Sequence, residues 1–228
     1  MIYPVFHPIM DLQDRRVAWR ESLARIQGDE NPLAHGALLG SAERNGFIQH
    51  IDLAMLSQVI GLTPRLDAPA SVNLSSQTIE YGASAIVEAL EQGEAARKKL
   101  IFEITEVTPI RDIPNLLRFR DRLRDFDVLL AVDDFGSGIW TDQLVTRIEP
   151  DIVKVSWKCG AVDAALEIAS EINADVVVEY VDSERVLDAV RAKGIRFAQG
   201  YLFGKPCALP AHEPFPPIPF PQELPCVV

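Results

Sequence analysis

Cysteine is scarce in this sequence and follows no recognisable pattern. Cys159, Cys207 and Cys226 are three in number, without CxxC or Cys/His spacing, so neither a disulfide framework nor a zinc site is indicated. That scarcity fits a reducing compartment. Long apolar runs are also missing: none could span a bilayer, and Met1-Ile2-Tyr3-Pro4-Val5-Phe6-His7 lacks the basic-then-apolar order of a secretory leader. Positive charge is in deficit, with 22 Lys and Arg against 33 Asp and Glu, a net charge of -11. This balance argues against a nucleic-acid polymer as partner, although an anionic ligand can still be held through bound cations. The expectation is a soluble, cytoplasmic protein with no membrane insertion.

What is present suits one globular domain. The 228 residues are 48% hydrophobic and 24% charged, enough for a full core, and α/β barrels of this size are single domains. Segments 3–12 and 17–26 read as strands joined by Gln13-Asp14-Arg15-Arg16. That link is far too short for a parallel crossover, which predicts an antiparallel hairpin. After the break at Asn31-Pro32, segments 33–45 and 47–62 show helical spacing. Strands at 70–74, 100–105, 129–133, 152–155, 175–179 and 196–199 then alternate with helices at 84–92, 113–126, 141–148, 160–173 and 183–193. Eight strands in this alternation predict an α/β fold, a modified TIM (β/α)8-like barrel with an antiparallel first strand. Proline crowds the chain from Gly204 onward and excludes helix or central strand. The expected division is a barrel domain at 1–206 and a Pro-rich C-terminal tail at 207–228, either extended along the barrel surface or disordered.

The stretch from Leu129 to Gly138 organises the chemistry. A buried strand ends in adjacent carboxylates, Asp133 and Asp134, which can share a site only where the backbone turns; Gly136 and Gly138 supply that freedom. Packed like charges call for a cation, and hard divalent ions choose oxygen ligands. The other reading is that Asp134 caps the next helix. Barrel active sites gather at the C-terminal ends of the strands, where Glu21, Asn73, Glu103, Glu106, Lys154, Glu179 and Gln199 interrupt apolar runs. Singly, Lys154 could be an ion-pair partner, Asn73 a turn residue and Gln199 a satisfied buried amide. Together they describe a two-metal phosphoester site.

The same residues carry a family resemblance. Glu21-Ser22-Leu23-Ala24-Arg25 resembles the ExLxR signature of EAL domains, the cyclic-di-GMP phosphodiesterases. Phe6-His7-Pro8-Ile9-Met10-Asp11 is similar to that family's YQPIVD, Val72-Asn73-Leu74-Ser75 to its VNLS and Glu103-Ile104-Thr105-Glu106 to its ExTE. Asp133-Asp134-Phe135-Gly136-Ser137-Gly138 resembles DDFGTG, and Gln199-Gly200-Tyr201-Leu202-Phe203 matches QGYLF. The resemblance implies two ions, Mg²⁺ or Mn²⁺: one on Glu21, Asn73, Glu103 and Asp133, the second on Asp133, Asp134 and Glu179. It implies that Lys154 orients the attacking water, that Gln199 and Asp182 support the water network, and that Glu106 steadies the loop after Asp134. Leu23 and Arg25 would bind the dinucleotide, and opening one phosphodiester bond would give linear pGpG.

Departures from the family pattern bear on that expectation. The family's AEGVE reads here Val178-Glu179-Tyr180-Val181-Asp182, with Tyr for Gly and Asp for the second Glu, and its KID reads Lys154-Val155-Ser156. By the resemblance, the loop after Asp134 couples metal binding to a homodimer. Trp140 within it is either an interface anchor or ordinary core. Altered supporting groups also leave open a catalytically inactive EAL domain acting as a cyclic-di-GMP receptor or protein-interaction module. With the barrel starting almost at Met1, no sensor or cyclase domain is expected in the chain.

Overall fold

The computed structural model describes residues 1–28, 32–105, 111–138 and 140–209. The sheet closes on itself in chain order. Its strands are β1 (Ile2–Asp11), β2 (Arg16–Ile26), β3 (Ala70–Ser75), β4 (Leu100–Thr105), β5 (Leu129–Phe135), β6 (Ile152–Ser156), β7 (Asp175–Glu179) and β8 (Phe197–Gln199). β1 is antiparallel to both β2 and β8, and all other neighbours are parallel. The barrel expected from the sequence is therefore the one observed. Asp11 fixes the corner after β1: Oδ1 accepts the amides of Gln13 and Asp14, both at 3.0 Å, while Oδ2 accepts Arg196 Nη2 at 2.7 Å and Nε at 3.0 Å. One buried carboxylate thus shapes the hairpin turn and ties it to the residue that leads into β8.

The helices are α1 (Pro32–Arg44), α2 (Ile48–Leu62), α3 (Ser76–Gln92), α4 (Glu94–Arg97), α5 (Ile113–Asp125), α6 (Asp142–Ile148), α7 (Val162–Ile172) and α8 (Glu184–Ala192). α3 begins at Ser76 rather than at 84, because Ser75 and Asp52 satisfy its first turn. Ser75 Oγ accepts the Thr78 amide at 3.1 Å, and Asp52 Oδ2 accepts the Ser75 amide at 2.8 Å and Thr78 Oγ1 at 2.6 Å. Weak helix formers are helical there because capping offsets their propensity. The sequence reading also missed α4 and the 3₁₀ turns Thr63–Arg65 and Trp157–Cys159. Of the predicted tail, residues 207–209 are described: Cys207 and Phe6 exchange backbone hydrogen bonds of 2.7 and 3.1 Å. The remainder lies outside the described residues.

Two cores follow from the period-two alternation of strands. Outward residues such as Val72, Phe102, Ile104, Val132, Val153 and Val178 join helix residues such as Leu56, Leu116 and Leu187 in the main core. Inward residues Ile9, Trp19, Ile101, Ala131, Ile152, Val177 and Phe197 form a separate cluster made of strand residues, a plug inside the barrel. One step further on the same face, two residues later along each parallel strand, the side chain is polar: Glu21, Asn73, Glu103, Asp133, Lys154, Glu179 and Gln199. The apolar plug is the floor of a polar mouth.

The mouth is bordered by a tightly built turn. A Cβ on Gly200 would lie 2.2 Å from the carbonyl oxygen of Val181. That main chain is held on both sides, Val181 N–H donating to Gln199 O at 3.0 Å and Val181 O accepting from Leu202 N at 3.3 Å. Gly200→Ala is expected to cost about 3 kcal/mol or more of stability. The measurement is the urea midpoint at unchanged slope; a midpoint equal to that of the parent chain would mean that residues 180–182 are not clamped in this way.

Candidate metal centre and its cleft

Lys154 stands at the middle of the polar layer, on the inward face of β6, and its side chain is fully buried. Its Nζ lies 2.6 Å from Glu103 Oε2, 2.8 Å from Asp133 Oδ1, 3.2 Å from Glu179 Oε1 and 3.6 Å from Glu21 Oε2. Four strands thus aim one carboxylate each at a single ammonium. Gln199 Nε2 donates to Glu21 Oε2 at 2.8 Å, and Asn73 Nδ2 donates to Glu21 Oε1 at 3.2 Å. Oxygens of Glu21, Glu103 and Asp133 approach within 4.8 Å of one another.

The electrostatics follow from this crowding. Burial opposes the charge on Lys154, but Asp133, Glu103, Glu179 and Glu21 outweigh it and raise its pKa well above the usual lysine value. The carboxylates divide. Burial also opposes ionisation of Glu21, yet Lys154 together with the amides of Gln199 and Asn73 brings its pKa below the usual value. Glu103 is pushed up to about 8, first by burial and then by Glu21 and Asp133, against the pull of Lys154. Burial likewise raises Glu179 well above the carboxylate range, with Asp133, Glu21 and Asp134 adding to it. One ammonium does not neutralise four acids, and the surplus charge can be relieved by a proton or by a cation.

The residues present fit a divalent ion. Glu103 Oε1 and Asn73 Oδ1 are buried without a hydrogen-bond partner, and Asp133 Oδ1 meets Lys154 as an ion pair without an aligned hydrogen bond. All are oxygen donors of the hard class that Mg²⁺, Mn²⁺ and Ca²⁺ accept. Orphaned buried oxygens are costly unless something completes them.

Asp134 and Glu179 line the same cleft but stand outside the tight three-carboxylate cluster. β5 continues through Asp134 to Phe135, past the predicted end at 133, with a register shift between Val132 and Phe135. The backbone freedom there is at Asp134 itself, whose φ is 53°, as well as at Gly136 and Gly138. Leu23 and Arg25 border the cleft from β2. Asp182 is directed elsewhere than Lys154: Oδ2 lies 3.4 Å from Lys158 Nζ, and Oδ1 accepts the Tyr201 amide at 3.0 Å. Trp140 is 5% exposed and packs in the main core. Glu106 lies outside the described residues.

Several groups at the mouth were not singled out as site residues in the sequence. His7 borders the cleft from β1, its Nε2 without a hydrogen-bond partner and its pKa lowered by burial and by Lys154 against the pull of Glu21. It pairs in register with Glu21. Because β1 runs opposite to its neighbours, its mouth residue stands two positions before the plug residue Ile9, and that reversal was the signal. Lys158, Tyr180 and Tyr201 complete the rim of this cleft of ≈ 360 Å³. A second, more apolar cavity of ≈ 380 Å³ opens between β2, α1 and α2, walled by Leu39, Ile48, Ile51 and Met55, with Glu43 and Asp52 also in its lining.

The fold and mouth together define a class: a mixed (β/α)8-like barrel whose strand ends form an acidic centre with oxygen donors that fit a metal ion. The EAL domain family model matches residues 1–206, and the chain belongs to that family. Cyclic di-GMP phosphodiesterase NbdA of Pseudomonas aeruginosa is 28% identical over 232 residues, which cover 92% of this chain and 29% of that protein. The chain thus spans under a third of that relative's length. A standalone versatile EAL protein from Vibrio cholerae O395, solved in c-di-GMP bound form, gives a TM-score of 0.78 at 23% identity over 92% of this chain and 94% of that one. BlrP1 of Klebsiella pneumoniae, solved as a manganese/cy-diGMP complex, gives 0.74 at 23% identity over 90% and 56%. At these identities the structural likeness is one of fold.

Two measurements probe the electrostatics. Lys154→Met removes the central charge, and in EDTA it is expected to cost about 3–5 kcal/mol. Mn²⁺ should then raise the melting temperature of the variant more than that of the parent chain; an equal rise would show that ion and ammonium do not serve the same carboxylates. Glu43, 4% exposed, has its carboxyl pushed up to about 7 by burial and by Asp52, against the pull of Arg44. The folded chain keeps a proton there that the unfolded chain loses near pH 4.3, so this group's contribution falls as pH rises from about 4.3 through 7. Glu43→Gln is therefore expected to raise the melting temperature more at pH 8 than at pH 5. The same gain at both would refute the assignment.

Proposed function

We propose that the chain hydrolyses cyclic-di-GMP to linear pGpG in a reaction that requires Mg²⁺ or Mn²⁺, as a cytoplasmic phosphodiesterase. The carrying observation is the convergence of Glu21, Glu103, Asp133 and Glu179 on the buried Lys154 ammonium, with carboxylate and amide oxygens left unpartnered around it. Names of relatives agree with it: NbdA is a cyclic di-GMP phosphodiesterase, and the V. cholerae protein was solved with c-di-GMP bound. In this reading Glu21, Asn73, Glu103 and Asp133 hold one ion, and Asp133, Asp134 and Glu179 a second. Bound there, the ions would neutralise charge at the scissile phosphate and lower the pKa of water.

The chain's own residues do the rest. Lys154, held charged by its neighbours, is a donor rather than a base, suited to orienting the attacking water and stabilising charge on the phosphate. Gln199 and Asn73 fix the Glu21 carboxylate from two sides. Leu23 and Arg25 border both cavities, which flank the acidic centre and give each half of a cyclic dinucleotide a place. Glu106 and a homodimer through the loop after Asp134 belong to the reading on the resemblance alone.

Purified chain with Mn²⁺ or Mg²⁺ is expected to convert cyclic-di-GMP to pGpG. Asp133→Asn, which removes one charge at nearly constant volume, should lower turnover at least about 100-fold, followed by chromatography of the products. Substantial hydrolysis by the variant would overturn the assignment of Asp133 to both ions. One observation favours the second reading, a receptor without turnover: Asp182 is engaged by Lys158 and the Tyr201 amide instead of Lys154. Binding of cyclic-di-GMP without pGpG in either metal would select that reading.

A further inference from the structure

Tyr180 follows directly on Glu179 at the end of β7, and three observations set it apart. Its φ is 60°, in the left-handed region that bulky residues enter only at a cost. The residue is 49% exposed, so burial of the ring recovers little of that cost. And Lys158 Nζ sits 4.1 Å from the ring centroid, on the rim of the cleft that contains Asp133, Asp134 and Glu179.

The fold does not need the ring. The turn is held by the backbone of Val181, hydrogen-bonded to Gln199 and Leu202, and by the close approach of Gly200. A glycine at 180 would make the same contacts without the strain. A strained, half-exposed aromatic at the mouth of a site is a feature whose reason lies in what the site receives. Asp182 adds to the arrangement by holding Lys158 through an ion pair of 3.4 Å, which keeps the ammonium over one face of the ring.

We propose that Tyr180 and Lys158 form a platform: one purine base of a cyclic dinucleotide stacks on the face of the Tyr180 ring opposite Lys158, and the Lys158 ammonium over the other face draws the anionic phosphates to the rim. A flat ring presents a π-face to any base; Lys158 lies over one face of Tyr180, which leaves the opposite face for the base, and its ammonium adds attraction for an anionic nucleotide in a chain that is otherwise strongly acidic. This inference rests on the proposed cyclic-di-GMP chemistry and names a binding group for it that is separate from the metal ligands. Asp182 becomes a positioning residue, acting through Lys158.

The test uses the full chain and three variants, Tyr180→Gly, Tyr180→Phe and Lys158→Gln, titrated with cyclic-di-GMP in Ca²⁺ and assayed for turnover in Mn²⁺. Tyr180→Gly should melt higher than the parent chain, because strain is relieved, yet bind cyclic-di-GMP about tenfold more weakly. The loss should reside in KM rather than in kcat. Tyr180→Phe keeps the π-face and should bind within about twofold of the parent chain, while Lys158→Gln should weaken binding and flatten its dependence on salt. Unchanged affinity in Tyr180→Gly, or a loss confined to kcat, overturns the platform. If the parent chain itself neither binds nor hydrolyses cyclic-di-GMP, the proposed function fails and the platform with it. Parent binding with an indifferent Tyr180→Gly rejects the platform alone.

Discussion

A buried ammonium is the constraint on which the centre of this barrel depends. Lys154 cannot stay charged inside the sheet without counter-charges, and four strands, β2, β4, β5 and β7, supply them from Glu21, Glu103, Asp133 and Glu179. Nor can those carboxylates all stay ionised so close together without positive charge among them. Each side of the arrangement makes the other tolerable, and the apolar plug beneath keeps the group at the mouth. The residual acidity, visible in the raised pKa values of Glu103 and Glu179, leaves the centre receptive to further positive charge. Lys154 thus serves the folded chain as a partial counter-ion.

Much of this was legible in the sequence because strands have a short and regular period. An apolar residue followed two positions later by an acid, amide or lysine marked the inward face of nearly every parallel strand, and helices of ordinary length between them implied the barrel. β1 escaped the same reading since its direction is reversed, and with it His7. The start of α3 was hidden in Ser75-Ser76-Gln77-Thr78, whose helicity depends on Asp52 from another helix, a contact no local pattern shows. Asp134 was recognised as an acid, but its left-handed backbone is a property of the bulge and not of the residue type.

Asp182 illustrates a different limit. The family resemblance placed it with Gln199 in the water network of the centre, as an Asp where the family has Glu. In the structure it has partners of its own, one of them Lys158, which comes from the 3₁₀ turn that local patterning did not reveal. A substitution read against a motif is measured against the wrong neighbours when nearby loops have changed as well. The same caution applies to Glu43 and Asp52, acids on helices that local reading treats as ordinary amphipathic surface until the cavity between α1, α2 and β2 brings them together.

The two-residue step between plug and mouth also governs how this chain can change in length. Inserting or deleting a single residue inside a strand would rotate its mouth residue outward among the helices and turn an aliphatic neighbour into the cleft, breaking core and centre in one event. Connections carry no such phase. Variation in length is therefore confined to the loops, and the spacing from the inward apolar residue to its polar successor behaves as a reading frame, written in side-chain orientation, that every tolerated insertion must leave intact.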